Sequence, residues 1–255
     1  MSRISRVALP MSCRGYTDDA LLGGRIMLRQ PSEGYRVALE PILLAAAVTE
    51  KKSMRVLDAG CGSGAAMLCL AARVSDCRVV GLELQSTLET LAGQSIAMNR
   101  LNDRLSVVQG DIIAPPSSLG KTAFDVVMSN PPFGEAGTPP PNSQKAAAHM
   151  EQETSLSDWI NALLRLLTDR GQLVLIHRAN RLTDIIAPLQ GRAGGITICP
   201  IWPKAGQPAK RVIVSAFKGR KSPDRLVPGV TLHEADGSYT AQLNTILRDA
   251  GAINL

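Results

Sequence analysis

The sequence predicts an α/β domain: a mostly parallel sheet with helices on both faces. Three observations lead there. From residue 54 onward, short apolar runs alternate with helix-length stretches. A glycine-dense turn, Asp58-Ala59-Gly60-Cys61-Gly62-Ser63-Gly64, follows the first run. Acidic residues, Asp58, Glu83 and Asp111, stand at the ends of the first three runs. Parallel strands need a crossover between them, and a helix is the usual one, so this alternation implies a sheet covered on both sides.

Taken in order, Glu40-Pro41 places an acceptor and then a proline at a helix start, leading into the apolar run Ile42–Val48. Met54–Asp58 is the first core strand and Ala65–Arg73 the helix after the glycine turn. Arg78–Leu82 is a strand, Ser86–Asn99 a helix, Leu105–Gln109 a strand and Phe124–Met128 another. Residues 134–153 are polar, rich in Pro and Gly and without period, which predicts a surface loop. Thr154 or Ser155 then caps a helix whose apolar positions, Leu156, Trp159, Ile160, Leu163, Leu164 and Leu167, recur at helical spacing. Gly171 ends that helix and Gln172–His177 is the next strand. Ile196–Ile201 and Val212–Phe217 have no helix between them and predict an antiparallel pair at one sheet edge. Ser238 or Thr240 caps a closing helix carrying Leu243, Ile246 and Leu247. The expected organisation is an N-terminal extension and leading helix over 1–53, a seven-stranded core over 54–218, and a strand and helix over 219–255 completing the same domain.

Composition narrows the function. At 255 residues with 45% hydrophobic content, the chain is neither collagen-like nor disordered, and its length suits one large domain or two small ones. Its longest strongly apolar run, Ile42–Val48, falls well short of the roughly 20 residues a membrane span needs. The N-terminus has Arg3 and Arg6 but no apolar segment of signal-peptide length. Five cysteines (13, 61, 69, 77 and 199) form no CxxC pair, and His177 and His233 have no partner spacing for a metal. A reduced, cytoplasmic protein without a metal and without a membrane partner is expected. The net charge of +6 is unevenly placed. Residues 1–36 hold six basic and three acidic residues, residues 201–225 seven and one, and the remainder 15 and 18. The later segment marks Lys204, Lys210, Arg211, Lys218, Arg220 and Lys221 as candidates to face a polyanion such as RNA. With only eight aromatics, a platform that stacks many bases is excluded, and an aromatic in a polar loop carries unusual weight.

The glycine turn lets the backbone reverse after a strand and lets a ligand lie against bare peptide groups. By itself it fits a dinucleotide site as well, so NAD stays open at this point. Glu83, about twenty residues on, suits the two ribose hydroxyls of either cofactor. Opening the loop with an acid, Asp58-x-Gly60-x-Gly62-x-Gly64, resembles motif I of class I S-adenosylmethionine-dependent methyltransferases. There the acid and the loop amides hold the methionine end. Leu84 follows the second acid, and Gly110-Asp111-Ile112 resembles the place where such enzymes clamp adenine; the lesser alternative is that Asp111 simply caps the segment that follows it.

Ser129-Asn130-Pro131-Pro132-Phe133 follows the fourth core strand. An amino or amide nitrogen delocalises its lone pair and is a poor nucleophile until its hydrogens are held. The Asn130 side-chain carbonyl and the Pro131 backbone carbonyl can hold them, favouring a pyramidal nitrogen aimed at an electrophilic methyl. Pro132 stiffens the turn, and Phe133 can stack on a flat group such as a base turned out of its stack.

Asn130-Pro131-Pro132-Phe133 is the NPP[YF] signature of methyltransferases acting on exocyclic amino nitrogen or glutamine amide. A second stretch, Gln30-Pro31-Ser32-Glu33-Gly34-Tyr35-Arg36-Val37 running into Glu40-Pro41-Ile42-Leu43-Leu44-Ala45, resembles the N-terminal segment of bacterial tRNA1(Val) adenine-N6 methyltransferases, as do Arg211–Phe217 and the helix after Tyr239. The resemblance covers nearly residues 20–250. It implies a Rossmann-like class I fold, S-adenosyl-L-methionine as methyl donor with S-adenosyl-L-homocysteine as product, no metal, and methylation of N6 of adenine 37 in a tRNA or of another structured RNA. By analogy Tyr35 and Arg36 border the methionine end. The chain departs from the family pattern before Glu151, where Ala148-His149-Met150 replace the basic residue often found there. Protein glutamine N5, guanine N2 in RNA, and NAD-dependent oxidation remain as alternatives; the last gives the NPPF motif no role.

Overall fold

The computed structural model describes residues 15–34, 36–120, 124–132 and 154–255; Tyr35, Phe133, the loop 134–153 and His149 lie outside them. Its first element is an antiparallel hairpin, β1 (Tyr16–Leu21) and β2 (Ile26–Pro31), which the sequence reading did not separate from the extension. The reason lies in its outer edge. Met27 N donates to Asn99 Oδ1 at 2.9 Å and Arg29 N to Ser95 Oγ at 2.9 Å, so helix side chains, not another strand, complete the ladder. The leading helix, α1 (Glu40–Ala46), is buried from Pro41 to Ala46. Its N-cap is Leu39, without a side-chain bond, so Glu40 is not the capping acceptor expected. Its carboxylate accepts from Arg211 Nε at 3.1 Å.

The core follows: β3 (Arg55–Ala59), α2 (Ala65–Arg73), β4 (Arg78–Glu83), α3 (Ser86–Met98), β5 (Leu105–Gln109) and β6 (Phe124–Ser129). Ser155 caps α4 (Leu156–Leu166), accepting from Asp158 N at 3.1 Å. This helix ends at Leu166, five residues before the expected Gly171. β7 (Leu167–Arg178) starts at once and bulges, since Phe124 pairs with Leu167 and Val126 with Gln172. Gly171 serves the bulge: a Cβ there would lie 2.9 Å from Leu167 Cδ2 and from the Thr168 carbonyl. α5 (Leu182–Ile186), β8 (Ala193–Lys204), β9 (Arg211–Lys218), β10 (Arg225–Leu226), β11 (Val230–His233) and α6 (Ala241–Asp249) complete the chain. Thr240 caps α6, accepting from Leu243 N at 3.2 Å.

The main sheet runs β10-β8-β9-β7-β6-β3-β4-β5 with β11 also on β8, and β9 is antiparallel to both its neighbours. The expected seven strands are present, with two short ones, β10 and β11, added along the outer side of β8. Alternation along each strand splits the core in two. Val56, Val126, Met128, Val174 and Ile176 face α1 and α2 side chains such as Leu43, Leu44, Met67 and Leu70. Leu57, Val127, Leu173 and Leu175 face Ile160, Leu163 and Leu164 of α4. The central strands β3, β6 and β7 have both faces covered, which is the mark of a doubly wound parallel sheet.

Candidate active site

Strand β3 pairs with β4 on one side and β6 on the other, so the strand order reverses at its carboxyl end. A crevice outside that end is where open α/β sheets bind ligands. Asp58, Glu83 and Ser129-Asn130 all sit at this edge.

After β3 the chain reverses in a turn that draws on β4 for its hydrogen bonds. Gly60 N and Cys61 N both donate to the Leu82 carbonyl, at 2.8 and 3.1 Å. Gly62 N donates to Glu83 Oε2 at 2.8 Å and Gln85 N to Glu83 Oε1 at 2.9 Å, so both oxygens of that carboxylate are held by backbone amides. Asp58 Oδ2 accepts from Met67 N at 3.1 Å, in the first turn of α2 behind the N-cap Gly64. Gly62 has φ +56, and a Cβ built on it meets nothing within 4 Å: the space over the loop is open to a ligand. Gly60, at φ +72, is closed instead, with the Trp159 ring 3.3 Å from where a Cβ would stand.

Asp58 is 2% exposed and Glu83 6%. Burial pushes the Asp58 carboxyl up to about 7; the Met67 amide works against that shift and the Glu83 charge adds to it. The site therefore carries dense, dry negative charge that a cationic ligand would relieve. The same burial and the same two carboxylates push the Cys61 thiol well above its ordinary range, so it is a poor nucleophile.

Along β4 and β5 the candidate adenine-clamp residues fall into place differently from one another. Leu84 is 37% exposed and Ile113 36%, two of the four large hydrophobic residues left exposed among the described residues. Gly110 N donates to the Glu83 carbonyl at 2.9 Å and Gln109 Nε2 to the Leu84 carbonyl at 3.3 Å, which joins the two strand ends. Asp111 Oδ1 accepts from Ile113 N at 2.8 Å and so fixes its own turn. Ile112 is buried in the core at 4% exposure, so its side chain packs inward. Arg36 is held on the hairpin, donating to Asp19 Oδ2 at 2.7 Å and Thr17 Oγ1 at 3.0 Å.

At the end of β6, Ser129 Oγ donates to the Ala59 carbonyl at 2.7 Å and accepts from Trp159 Nε1 at 3.1 Å. Asn130 Oδ1 is buried and has no hydrogen-bond partner among the described residues. A buried unpartnered acceptor costs about 1–3 kcal/mol, which makes it a place for an incoming donor. Pro131 is buried and Pro132 exposed. The sequence reading missed Trp159, which it counted only among the apolar positions of α4. Its ring covers Gly60 while its N–H reaches Ser129, tying the glycine loop to the Asn-Pro-Pro turn. The available signal was chemical: a buried indole N–H needs an acceptor.

The six basic candidates do not form one patch. Because β9 runs antiparallel to β7, Arg211 pairs with Arg178 at the site edge and Lys218 with Ala193 at the opposite one. The two ends of β9 are about 23 Å apart at 3.3 Å per residue. Lys204, Lys210 and Arg211 share the edge of Asn130; Lys218, Arg220 and Lys221 do not. Arg178 and Arg181 join the first group, and their effect is visible at His177, which burial and then the charges of Arg181, Arg178 and Arg211 push down to about 4. Lys218 Nζ donates to the Leu167 carbonyl at 2.7 Å, and the Arg220 guanidinium lies 4.4 Å from the Phe217 ring. Among the described residues no cluster of His, Cys, Asp or Glu could hold a metal ion.

Comparison with known proteins agrees with this fold. A family described as "Methyltransferase domain" matches residues 50–190. A protein of Porphyromonas gingivalis named tRNA1(Val) (adenine(37)-N6)-methyltransferase is 31% identical over 63% of this chain, which matches 66% of that relative, just under two thirds of its length. A relative of the same name from Aeromonas salmonicida is 29% identical over 80% of this chain and 85% of its own. Among solved structures, a predicted O-methyltransferase from Agrobacterium tumefaciens superposes with a TM-score of 0.70 at 26% identity, covering 84% of this chain and 98% of the other. The chain belongs to the methyltransferase-domain family and has a Rossmann-like methyltransferase fold.

Proposed function

We propose that the protein methylates the N6 amino group of an adenine in tRNA, adenine 37 of a tRNA1(Val)-like substrate, with S-adenosyl-L-methionine as donor. The observation that carries this reading is the buried Asn130 Oδ1, without a partner among the described residues and set beside the glycine loop. The curated relatives' name supports the substrate class. Bound at this edge, S-adenosylmethionine supplies an electrophilic methyl on a cationic sulfonium. The residues fit it: Gly62 leaves open space, Glu83 presents a carboxylate for ribose hydroxyls, Leu84 and Ile113 offer apolar surface to an adenine, and Asp58 contributes negative charge near the methionine end.

The chain's own part is positioning. Asn130 Oδ1 accepts one hydrogen of the amino group and the Pro131 carbonyl the other. Both acceptors stabilise the positive charge that grows on the nitrogen, in a site dry enough to strengthen them. Phe133, outside the described residues, is assigned to stack on the target base, and Tyr35 and Arg36 to border the methionine end. Lys204, Lys210 and Arg211 are assigned to the RNA backbone. The test is methyl transfer to unmodified tRNA followed by mass spectrometry of its nucleosides. N6-methyladenosine is expected; label found on a protein glutamine amide, on guanine N2 or on an oxygen would replace this reading.

A further inference from the structure

Three strands from Asn130, at the end of β8 on the same sheet edge, the half-exposed indole of Trp202 lines an open groove of about 520 Å³ together with Gly206, Gln207, Pro208, Pro228 and Thr231. The ring is held from two sides. Its N–H donates to the Pro228 carbonyl at 2.9 Å, and β11 pairs alongside it, Thr231 opposite Trp202. Gly229, at φ +88, lets that segment press onto the strand: a Cβ there would stand 2.1 Å from the Pro200 carbonyl oxygen and 2.9 Å from Trp202 Nε1. With its one donor used, the indole offers the groove an aromatic face that is already oriented.

The chemistry around it selects the occupant. Going from Trp202 toward Asn130, the strand order places Lys204 on β8, Lys210 and Arg211 at the start of β9, and Arg178 at the end of β7. Lys210 is exposed, and Lys204 is held near the groove by a bond from Nζ to the Ala235 carbonyl at 3.0 Å. Three strand spacings of about 4.8 Å put the groove some 14 Å from the site, across a row of cations. An apolar protein segment gains little from that row, whereas a nucleic-acid strand matches it: phosphates over the cations and a base on the ring.

We propose that this groove takes an unpaired nucleobase of the RNA substrate, stacked on Trp202, while the target adenine occupies the site at Asn130. The inference rests on the RNA reading given above, and its test separates the two. Binding of an anticodon stem–loop RNA is measured by fluorescence anisotropy, and tRNA methylation by initial rates, for the wild type, Trp202→Ala and Trp202→Phe. Trp202→Ala is expected to weaken RNA binding about tenfold or more and to raise KM for tRNA in step. Trp202→Phe, which keeps an aromatic face, recovers most of the loss, with affinity for S-adenosylmethionine unchanged in both and a similar small fall in Tm from the lost bond to Pro228. RNA affinity unaltered in Trp202→Ala overturns the inference, including the case of a groove that serves a protein segment. Equal loss of RNA affinity in both variants overturns it too, as the sign of a purely structural indole. A wild type that binds the stem–loop but methylates no adenine removes the proposed function and leaves the groove to be decided by the binding series. A wild type that binds no RNA removes both.

Discussion

The glycine loop after β3 and the Asn-Pro-Pro turn after β6 lie side by side, yet they satisfy their polar groups in opposite ways. In the loop, both Glu83 oxygens, one Asp58 oxygen and the amides of Gly60, Cys61, Gly62 and Gly64 already have partners within the protein. In the turn, Asn130 Oδ1 is buried with none among the described residues. A ligand entering the loop exchanges one set of hydrogen bonds for another, so its affinity is a difference of similar terms. A donor reaching Asn130 meets an acceptor already dry and aimed. Under the proposed function, the first arrangement is assigned to reversible cofactor exchange and the second to the reacting nitrogen.

The largest effect is expected where the comparison is sharpest. Asn130→Ala should lower kcat about a hundred- to a thousandfold while S-adenosylmethionine affinity, read by calorimetry, stays within a few fold. Retained turnover would place the two turns on an equal footing. Glu83→Ala should act on the other half. Losing charge-assisted bonds of about 1.5–3 kcal/mol would weaken cofactor binding roughly ten- to a hundredfold, with little change in kcat at saturation.

Asp58 gives a pH signature. Its carboxyl is raised from the ordinary 3.8 to about 7, so the folded protein holds the proton more tightly than the unfolded chain. The stabilisation is complete below about pH 4 and is lost as pH rises through about 7. Without cofactor, Tm of the wild type should therefore fall relative to Asp58→Asn by roughly several degrees between pH 5 and pH 8. Parallel curves would show that the carboxylate is not strained. A cationic ligand should relieve that strain, so affinity for S-adenosylmethionine should rise across the same window in the wild type only.

Smaller effects test the join between the halves and the edge beyond them. Trp159→Phe keeps the ring over Gly60 and removes the bond to Ser129, about 1 kcal/mol, so kcat/KM should drop roughly fivefold. Replacing Lys204 and Lys210 together with Ala should reduce the slope of log K against log salt for RNA by about one to two, and replacing Lys218 and Lys221 should leave it unchanged. Equal slopes for both pairs would contradict the division of the basic segment between two sheet edges.

Much of the placement of the candidate site's residues was legible because it is local. Asp58, Glu83, Asp111 and Asn130 each stand where a strand meets its turn, and a short turn is specified by the few residues within it. The strand alternation was legible for a similar reason, since period-two apolarity is written along each strand. Where the expectation failed, neighbours distant in sequence had intervened. The end of α4 moved from Gly171 to Leu166 because β7 bulges against β6. Glu40 left its capping role because Arg211, 171 residues away, reaches it. The hairpin β1–β2 was not recognised because its outer edge is completed by Ser95 and Asn99 of α3.

What the sequence determined by itself is the class of fold, the order of its strand-end residues and the type of chemistry they suit, all of which follow from short-range stereochemistry and periodicity. The tertiary structure alone decided which groups share an edge. It brought Trp159 to Ser129 across 30 residues. By running β9 against its neighbours it put Lys210, and not Lys218, at the edge of Asn130. A strand's direction is fixed by the partners it pairs with, and no window along the chain contains them.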